Sequence, residues 1–245
     1  MASSRQGSSR IIAIARELSE KVDRLSFASP VTHVYNPLDY AWSGHCQYLE
    51  RYGCSSHLEA ILLGMNPGPF GMAQTGVPFG EIEAVREWMG LEVEVRAPAG
   101  QHPKRPVLGV DCTRSEVSGR RLWGWARSEF GSPEAFFRRF FVANYCPLMF
   151  LEASGRNRTP DRLPAEELSP LLAACDEALR RTVEAMRPGL VIGVGRFAER
   201  RARAALRGME TRVGGILHPS PASPAANRDW QGTMTRQLAQ LGIAV

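Results

Sequence analysis

The chain has 245 residues, 44% of them hydrophobic and 22% charged, which is typical of one globular domain with a substantial core. No apolar stretch approaches the roughly 20 residues that span a bilayer, which argues against a membrane protein. The net charge is +5, and only Lys21 and Lys104 among the 30 basic residues are lysines. This balance favours a polyanionic partner, because the planar arginine fork suits phosphates, although a genome biased toward arginine codons would give the same composition.

The N-terminal segment indicates where the folded domain begins, and the cysteines indicate the redox state of the compartment. Residues 1–10 are small and polar, without the apolar core of a secretory signal, so we predict a disordered tail before a single domain over residues 11–245. Apolar positions 11, 14, 18, 22 and 25 predict a helix, and residues 29–45 predict an ordered loop. The five cysteines lack the spacing of a metal site, which predicts buried free thiols, no metal, and a reducing intracellular compartment such as the cytoplasm or nucleus.

The most informative segment is a buried strand over residues 60–63 that runs into a loop rich in glycine and proline, residues 64–81. Glycine allows a backbone to approach a ligand closely, and proline fixes its path. The loop has no lysine for a Walker-type phosphate site, and it lacks the Gly-x-Gly-x-x-Gly pattern of dinucleotide folds. It therefore suits a flat, uncharged, hydrogen-bonding ring better than a triphosphate.

The rest of the chain alternates helices with strands. The patterns predict a short helix (83–89), a strand-like segment (92–95), a helix beginning at Ser132 and Pro133, a strand (141–146), a polar loop (156–164), a long amphipathic helix (165–187), a strand (190–195), a basic helix (196–207), a strand (213–217) and a closing helix (230–241). This order predicts a single α/β domain with a four-stranded, mostly parallel sheet flanked by helices on both faces.

Three of the four predicted strands end in a polar side chain: Asn66, Asn144 and His218. Because the carboxyl ends of parallel strands meet at one edge of a sheet, these side chains are expected to converge on one crevice. Each has an ordinary explanation by itself, as a turn residue or a core residue, and the same holds for Phe79. Their coincidence with the glycine- and proline-rich loop favours a ligand site.

Six segments, in order, resemble the single-strand-selective monofunctional uracil-DNA glycosylases, and the likeness runs from about residue 30 to the C-terminus. They are Gly64-Met65-Asn66-Pro67-Gly68-Pro69-Phe70-Gly71-Met72, Ser115-Glu116-Val117-Ser118-Gly119, Asn144-Tyr145-Cys146-Pro147-Leu148, Ser154-Gly155-Arg156-Asn157, Val194-Gly195-Arg196 and His218-Pro219-Ser220-Pro221. The resemblance implies the fold predicted above, hydrolysis of the bond between uracil and deoxyribose in DNA, and a monomer that needs no cofactor.

The resemblance also implies a role for individual residues. Asn66 would hold the attacking water, and His218 would donate a hydrogen bond to uracil O2. Asn144 would read the Watson–Crick edge of the extruded base, and Phe79 would stack on its face. Met65 and Gly68 would form the wall near C5, where the family tolerates substituents such as hydroxymethyl.

The physical chemistry agrees with these roles, because a base inside a duplex cannot be attacked and must be flipped into a pocket that stacks on it and reads it. A glycosylase that also cuts the strand needs an amine for a Schiff base, and both lysines are remote in sequence from the site motifs. We therefore expect a monofunctional enzyme that leaves an abasic site.

The loop after His218 is expected to hold the DNA, single- or double-stranded, through Ser220, Pro221, Asn227 and Arg228. The family usually has Arg-Asn where this chain has Ala222-Ser223, so single-stranded substrate is expected to be favoured. Two other functions remain open from the sequence. One is a hydrolase with Cys146 as nucleophile and His218 as base, and the other is a non-catalytic binder of single-stranded nucleic acid.

Overall fold

A computed structural model describes residues 2–54 and 58–245, with side chains from residue 7 onward. Its helices are α1 (Ala2–Asp23), α2 (Pro37–Tyr40), α3 (Trp42–Tyr52), α4 (Met72–Thr75), α5 (Val117–Phe130), α6 (Pro133–Phe137), α7 (Ala165–Met186), α8 (Arg196–Ala205) and α9 (Pro224–Gln240). Its strands are β1 (Val31–Tyr35), β2 (Ala60–Gly64), β3 (Phe140–Asn144), β4 (Met149–Glu152), β5 (Asn157–Arg158), β6 (Leu190–Val194) and β7 (Arg212–Ile216). Within the described residues, no helix is both long and apolar enough to cross a bilayer.

The main sheet has four parallel strands in the order β3-β2-β6-β7, which confirms the predicted fold class. Every residue of β2 and β6 is buried, as their uninterrupted aliphatic sequences predict for strands covered on both faces. Helix α1 packs on α3 and α7, while α5 packs on α6 and α9. The chain moves from β2 to β3 in one direction and from β6 to β7 in the other, so a topological switch point lies at the centre of the sheet.

The strand register brings the ends of the strands together at one edge. Gly64 pairs with Asn144, and the pairing continues beyond the strands, where the Tyr145 N–H donates to the Gly64 carbonyl at 2.9 Å. On the other side of the sheet Val194 pairs with Ile216, two residues before His218. Parallel pairing therefore positions residues 66, 144 and 218 on the same edge, as predicted.

A second, antiparallel sheet in the order β1-β4-β5 was not predicted. Its first strand lies within residues 29–45, where we expected a loop and where the structure also has α2 and the start of α3. β5 lies in the predicted polar loop 156–164. The partners β1 and β4 are more than one hundred residues apart in the chain, and short strands of this kind are stabilised by that distant pairing rather than by local propensity.

Other local predictions need correction. The segment 92–95 is not a strand, because the backbone N–H and carbonyl of Glu92 bond to the side-chain amide of Gln47 instead of a neighbouring strand. Helix α1 begins at Ala2, so it includes most of the segment for which a disordered tail was predicted. Extending a helix that packing has already nucleated costs far less free energy than starting a new one.

Two helices also differ from expectation. Helix α5 was not predicted, and the predicted helix 83–89 is a π-helical turn (Ala84–Trp88). The closing helix starts at Pro224, six residues before the predicted start, and the Ser223 hydroxyl caps it by accepting from Ala226 N–H. The helix is kinked at Asp229, directly before the predicted segment. The predicted cap at Ser132 is confirmed by its bond from Ala135 N–H at 3.2 Å.

Candidate active site

A cleft of about 410 Å³ opens at the carboxyl edge of the parallel sheet. Among the described residues, its lining consists of Met65, Asn66, Pro67, Gly68, Pro69, Met72, Phe79, Glu116, Ser118, Asn144, Asn157, Thr159, His218, Ser220 and Pro221. The structure thus brings together the six residues predicted for catalysis and base binding, and two of the four predicted for DNA binding. Their chemical roles stay predictions.

Asn66 follows β2 by two residues and has a defined side-chain orientation. Its Nδ2 donates to the Leu148 carbonyl at 3.2 Å. This bond assigns the amide orientation and leaves Oδ1 as an acceptor at the cleft. A neutral amide oxygen of this kind can accept a hydrogen bond from a water molecule and orient it.

Asn144 ends β3 beside the last residue of β2. Its Nδ2 lies 3.1 Å from the Met72 sulfur, and its Oδ1 lies against Gly64. A Cβ at position 64 would overlap Asn144 Oδ1 and would lie 2.6 Å from Phe79 Cε2. Glycine is required at position 64 because two candidate base-binding side chains occupy the space of its missing side chain.

Phe79 adopts a left-handed backbone conformation, with φ 53°, which is uncommon for a residue with a side chain. The Trp123 indole N–H donates to the Phe79 carbonyl at 2.9 Å, and Gly119 lets α5 approach that carbonyl closely. Phe79 is 9% exposed, and its ring centroid lies 6.0 Å from that of the His218 ring. The surrounding structure therefore holds the Phe79 backbone in a conformation that local preference disfavours.

His218 lies two residues after β7, against the backbone of Gly195. A Cβ at Gly195, where φ is 92°, would lie 3.1 Å from His218 Cβ. Burial lowers the pKa of His218 to about 4, because the cation loses its hydration. The imidazole is therefore neutral at pH 7, and it carries one N–H donor without a positive charge.

The loop after His218 is held by an arginine that the sequence analysis did not identify. Arg121 donates to the Pro219 carbonyl at 3.0 Å and to Asn227 Oδ1 at 2.8 Å, and Asn227 Nδ2 donates to the Pro221 carbonyl at 2.9 Å. The Asn227 side chain thus stabilises the loop from outside the cleft lining. Arg228 is exposed and has no ion pair with another described residue. Its DNA-binding role stays a prediction.

Glu116 and Asn157 line the cleft and were not predicted to be functional. The carboxyl group of Glu116 lies against Gly68 and Gly71, and its burial raises its pKa. Asn157 Nδ2 donates to the Pro67 carbonyl at 3.1 Å. Glu116 Oε2 and Asn157 Oδ1 are buried without a partner among the described residues. Both residues lie in the motif segments, but Asn157 reaches the cleft on β5, a strand that no local pattern predicted.

The cysteines and Lys21 lie elsewhere. All five cysteines are free thiols, but only Cys146 and Cys175 are buried, so the prediction that all would be buried is wrong. Cys146 is fully enclosed in the core, with its sulfur 3.8 Å from the Leu148 carbonyl oxygen. Lys21 pairs with Glu177 at 2.7 Å, and the described residues that line the cleft include no lysine.

Comparison with known proteins identifies the family. The model of the uracil DNA glycosylase superfamily matches residues 50–239. The chain belongs to this superfamily. It is 53% identical over 228 residues to the single-strand selective monofunctional uracil-DNA glycosylase of Rattus norvegicus, a match that covers 92% of this chain and 82% of the relative. The proteins of the same name from Mus musculus and Bos taurus are also 53% identical, with 81% and 84% of their lengths covered.

The structural comparison supports the superfamily fold. The crystal structure of wild-type Pedobacter heparinus SMUG2 superimposes with a TM-score of 0.63 over 94% of this chain and 97% of that protein. At 17% identity this likeness concerns the fold alone. The two proteins therefore share a fold, and the residues that line the cleft are known for this chain alone.

Proposed function

We propose that this chain is a monofunctional DNA glycosylase that removes uracil from DNA and leaves an abasic site. The observation that carries the proposal is the convergence of Asn66, Asn144 and His218 on one cleft beside Phe79, in a chain 53% identical to enzymes named for this activity. A cleft at a topological switch point is where open α/β sheets bind ligands.

Base recognition follows from the chemistry of a flipped uracil. The base presents an acceptor (O4) beside a donor (N3–H), and a carboxamide such as that of Asn144 offers the complementary donor and acceptor. The Phe79 ring supplies a flat apolar face on which the base stacks. The wall formed by Met65 and Gly68 would leave space at C5, so 5-hydroxymethyluracil is a proposed second substrate.

Hydrolysis uses two neutral side chains. As the glycosidic bond breaks, its electron pair moves to the base, and the N–H of His218 stabilises the charge that develops on O2. A preorganised donor of this kind is worth about 3–4 kcal/mol by analogy with an oxyanion hole. Asn66 Oδ1 orients a water whose oxygen bonds to C1′ as the base departs, and the water's proton is released to solvent or to the leaving base.

The amine needed for strand cleavage is absent from the described cleft lining, so the product is an intact strand with an abasic site. The loop of Ser220, Pro221 and Arg228 is proposed to contact the DNA backbone, and the protein is proposed to act as a monomer. Both single- and double-stranded DNA are proposed substrates, with single strands favoured because the loop has Ala222-Ser223.

The test incubates the protein with single- and double-stranded oligonucleotides that contain uracil, 5-hydroxymethyluracil or thymine. We expect free uracil and free 5-hydroxymethyluracil, strand breaks only after alkali, and no release of thymine. The Cys146→Ser variant should release uracil at the wild-type rate, because the thiol is enclosed in the core. DNA binding without base release, or loss of activity in Cys146→Ser with the fold intact, would contradict the proposal.

A further inference from the structure

One rim of the cleft carries an aromatic ring close to two arginines, and the reaction described above uses none of the three. Phe70 is half-buried and follows Pro69, which lines the cleft. The Arg114 guanidinium carbon lies 4.0 Å from the centre of the Phe70 ring, and that of Arg105 lies 5.7 Å from it. We call these three residues the rim platform.

The rim platform is joined to the cleft by direct contacts. The side chain of Glu116, a residue of the cleft lining, packs against Gly68 and Gly71 on either side of Phe70, and Arg114 stands two positions before Glu116. The buried side chain of Gln74 donates to the Pro69 carbonyl at 2.9 Å and to the Pro106 carbonyl at 3.1 Å. This amide ties the segment of Phe70 to that of Arg105, so the platform is preorganised.

The charges of the rim platform are available to a ligand. Neither arginine has a carboxylate partner among the described residues, and Arg105 Nε is buried without a hydrogen-bond partner. Lys104 and Arg156 are exposed on the same rim, on either side of Gly155. The acidic groups near these arginines include the enclosed Glu116, Glu152, which is paired with Arg158 at 2.9 Å, and the exposed Asp111. Glu81, Glu83 and Glu87 also line a pocket with Arg114, but among the described residues none of them forms an ion pair with it.

We propose that the rim platform binds a nucleotide adjacent to the extruded uracil on the same single strand of DNA. Its guanidinium groups contact the phosphate, and the flat arginine–phenylalanine stack receives the neighbouring base. A strand that delivers one base into the cleft must cross both rims, and the loop of Ser220 and Pro221 forms the other one. Surfaces that combine a positively charged groove with aromatic rings and arginines bind single-stranded nucleic acids without sequence preference.

The test measures single-turnover uracil release as a function of enzyme concentration, with single-stranded substrates of about four and about 16 nucleotides. For the long substrate we expect Phe70→Leu and Arg114→Gln to raise the half-saturating concentration roughly tenfold, while the maximal rate stays unchanged. Arg114→Gln should also reduce the slope of the logarithm of the binding constant against the logarithm of the salt concentration, by about 0.7 for each phosphate contact that is lost. The short substrate carries its uracil at one end, in one version at the 5′ end and in the other at the 3′ end, so one version has no neighbouring nucleotide on the side of the platform. On that version both variants should match wild type.

The matched control is Arg207→Gln, an exposed arginine after α8 at the opposite edge of the sheet, which should behave as wild type on both substrates. Wild-type affinity and salt dependence of the platform variants on the long substrate would overturn the inference. So would an equal loss on the long substrate and on both short versions, which indicates a distorted cleft. Because the inference rests on the proposed activity, binding of an unmodified oligothymidine is measured by anisotropy, and a wild-type protein that binds it but releases no uracil would refute only the proposed function.

Discussion

At the scale of single residues, the two side chains proposed to be catalytic, Asn66 and His218, are neutral at pH 7. Burial lowers the pKa of His218 to about 4, so the imidazole does not become a cation until the pH is far below neutral. Asn66 is fixed by its bond to Leu148 and exposes only its carbonyl oxygen to a water. Neither group is a strong acid or base, so the proposed reaction depends on orienting the water and on stabilising the departing anion.

The residue-scale prediction concerns His218→Leu. Because leucine fills a similar volume but has no donor, the maximal rate of uracil release should fall by on the order of 10²–10³ while DNA affinity stays close to wild type. The wild-type rate should show no inflection between about pH 6 and pH 8, since the imidazole is neutral throughout that range. Single-turnover rates across this pH range and anisotropy on substrate DNA are the measurements. A variant with the wild-type rate would contradict the role of His218.

At the scale of elements, the end of β2 governs how closely the base-binding side chains approach each other. The register pairs Gly64 with Asn144, and the missing side chain of Gly64 leaves room for the Asn144 amide and the Phe79 ring. The Phe79 backbone is held in its left-handed conformation by Trp123 on α5. A strand end and a helix therefore position side chains that neither could position alone.

The element-scale prediction concerns Gly64→Ala. The added methyl group overlaps Asn144 Oδ1 and lies 2.6 Å from the Phe79 ring, so both side chains must move. Since a displacement of about 1 Å can cost on the order of 100-fold, kcat/KM on uracil-containing DNA should fall by one to two orders of magnitude.

The matched control is Gly124→Ala on α5, where a new Cβ would meet only Gln231 Nε2, at 3.7 Å. This variant should keep full activity and gain roughly 0.5–1 kcal/mol of stability, because alanine favours a helix interior. Thermal melting reports the change in stability of each variant, and the rate of uracil excision reports the change in activity. Equal activity of the two variants would show that position 64 does not constrain the site.

At the scale of the whole molecule, the cleft is assembled from distant segments, so it exists only while the fold is intact. His45 lies in the core, 7% exposed, and its Nδ1 is 2.8 Å from the Gly76 carbonyl oxygen, which makes Nδ1 the protonated nitrogen. Burial lowers its pKa to about 4, as it does for His218. The folded protein therefore resists protonation at two sites that the unfolded chain protonates near pH 6.5.

This difference predicts how stability depends on pH. Between about pH 6.5 and pH 4 the unfolded chain binds protons that the folded one does not, so the free energy of unfolding falls as the pH is lowered through this range. His45 alone should contribute a loss on the order of 2 kcal/mol at pH 5 relative to pH 7. Denaturant unfolding at both values should show the loss, and His45→Gln should reduce it. An identical pH dependence in the variant would contradict this account.

How far the sequence predicts this protein depends on the range of the interactions involved. The strands 60–63 and 190–195 were predicted because uninterrupted aliphatic runs stopped by glycine indicate buried parallel strands. The strand β1 was not, because its partner β4 is distant in the chain, and the strand-like segment 92–95 is held irregular by one glutamine side chain. Asn66, Asn144 and His218 were predicted because each follows a strand, while Asn157 reaches the cleft only through the unpredicted sheet.

The sequence by itself determined the α/β fold, the edge of the sheet that carries the cleft, and the residues that converge there, because hydrophobic periodicity and strand ends are local properties. The tertiary structure alone decided how those residues are held. The left-handed Phe79, the neutral His218, the anchoring Arg121 and the enclosed Cys146 each depend on burial or on a hydrogen bond to a remote segment. Such contacts form between residues that the chain brings together only when it folds, so no local pattern records them.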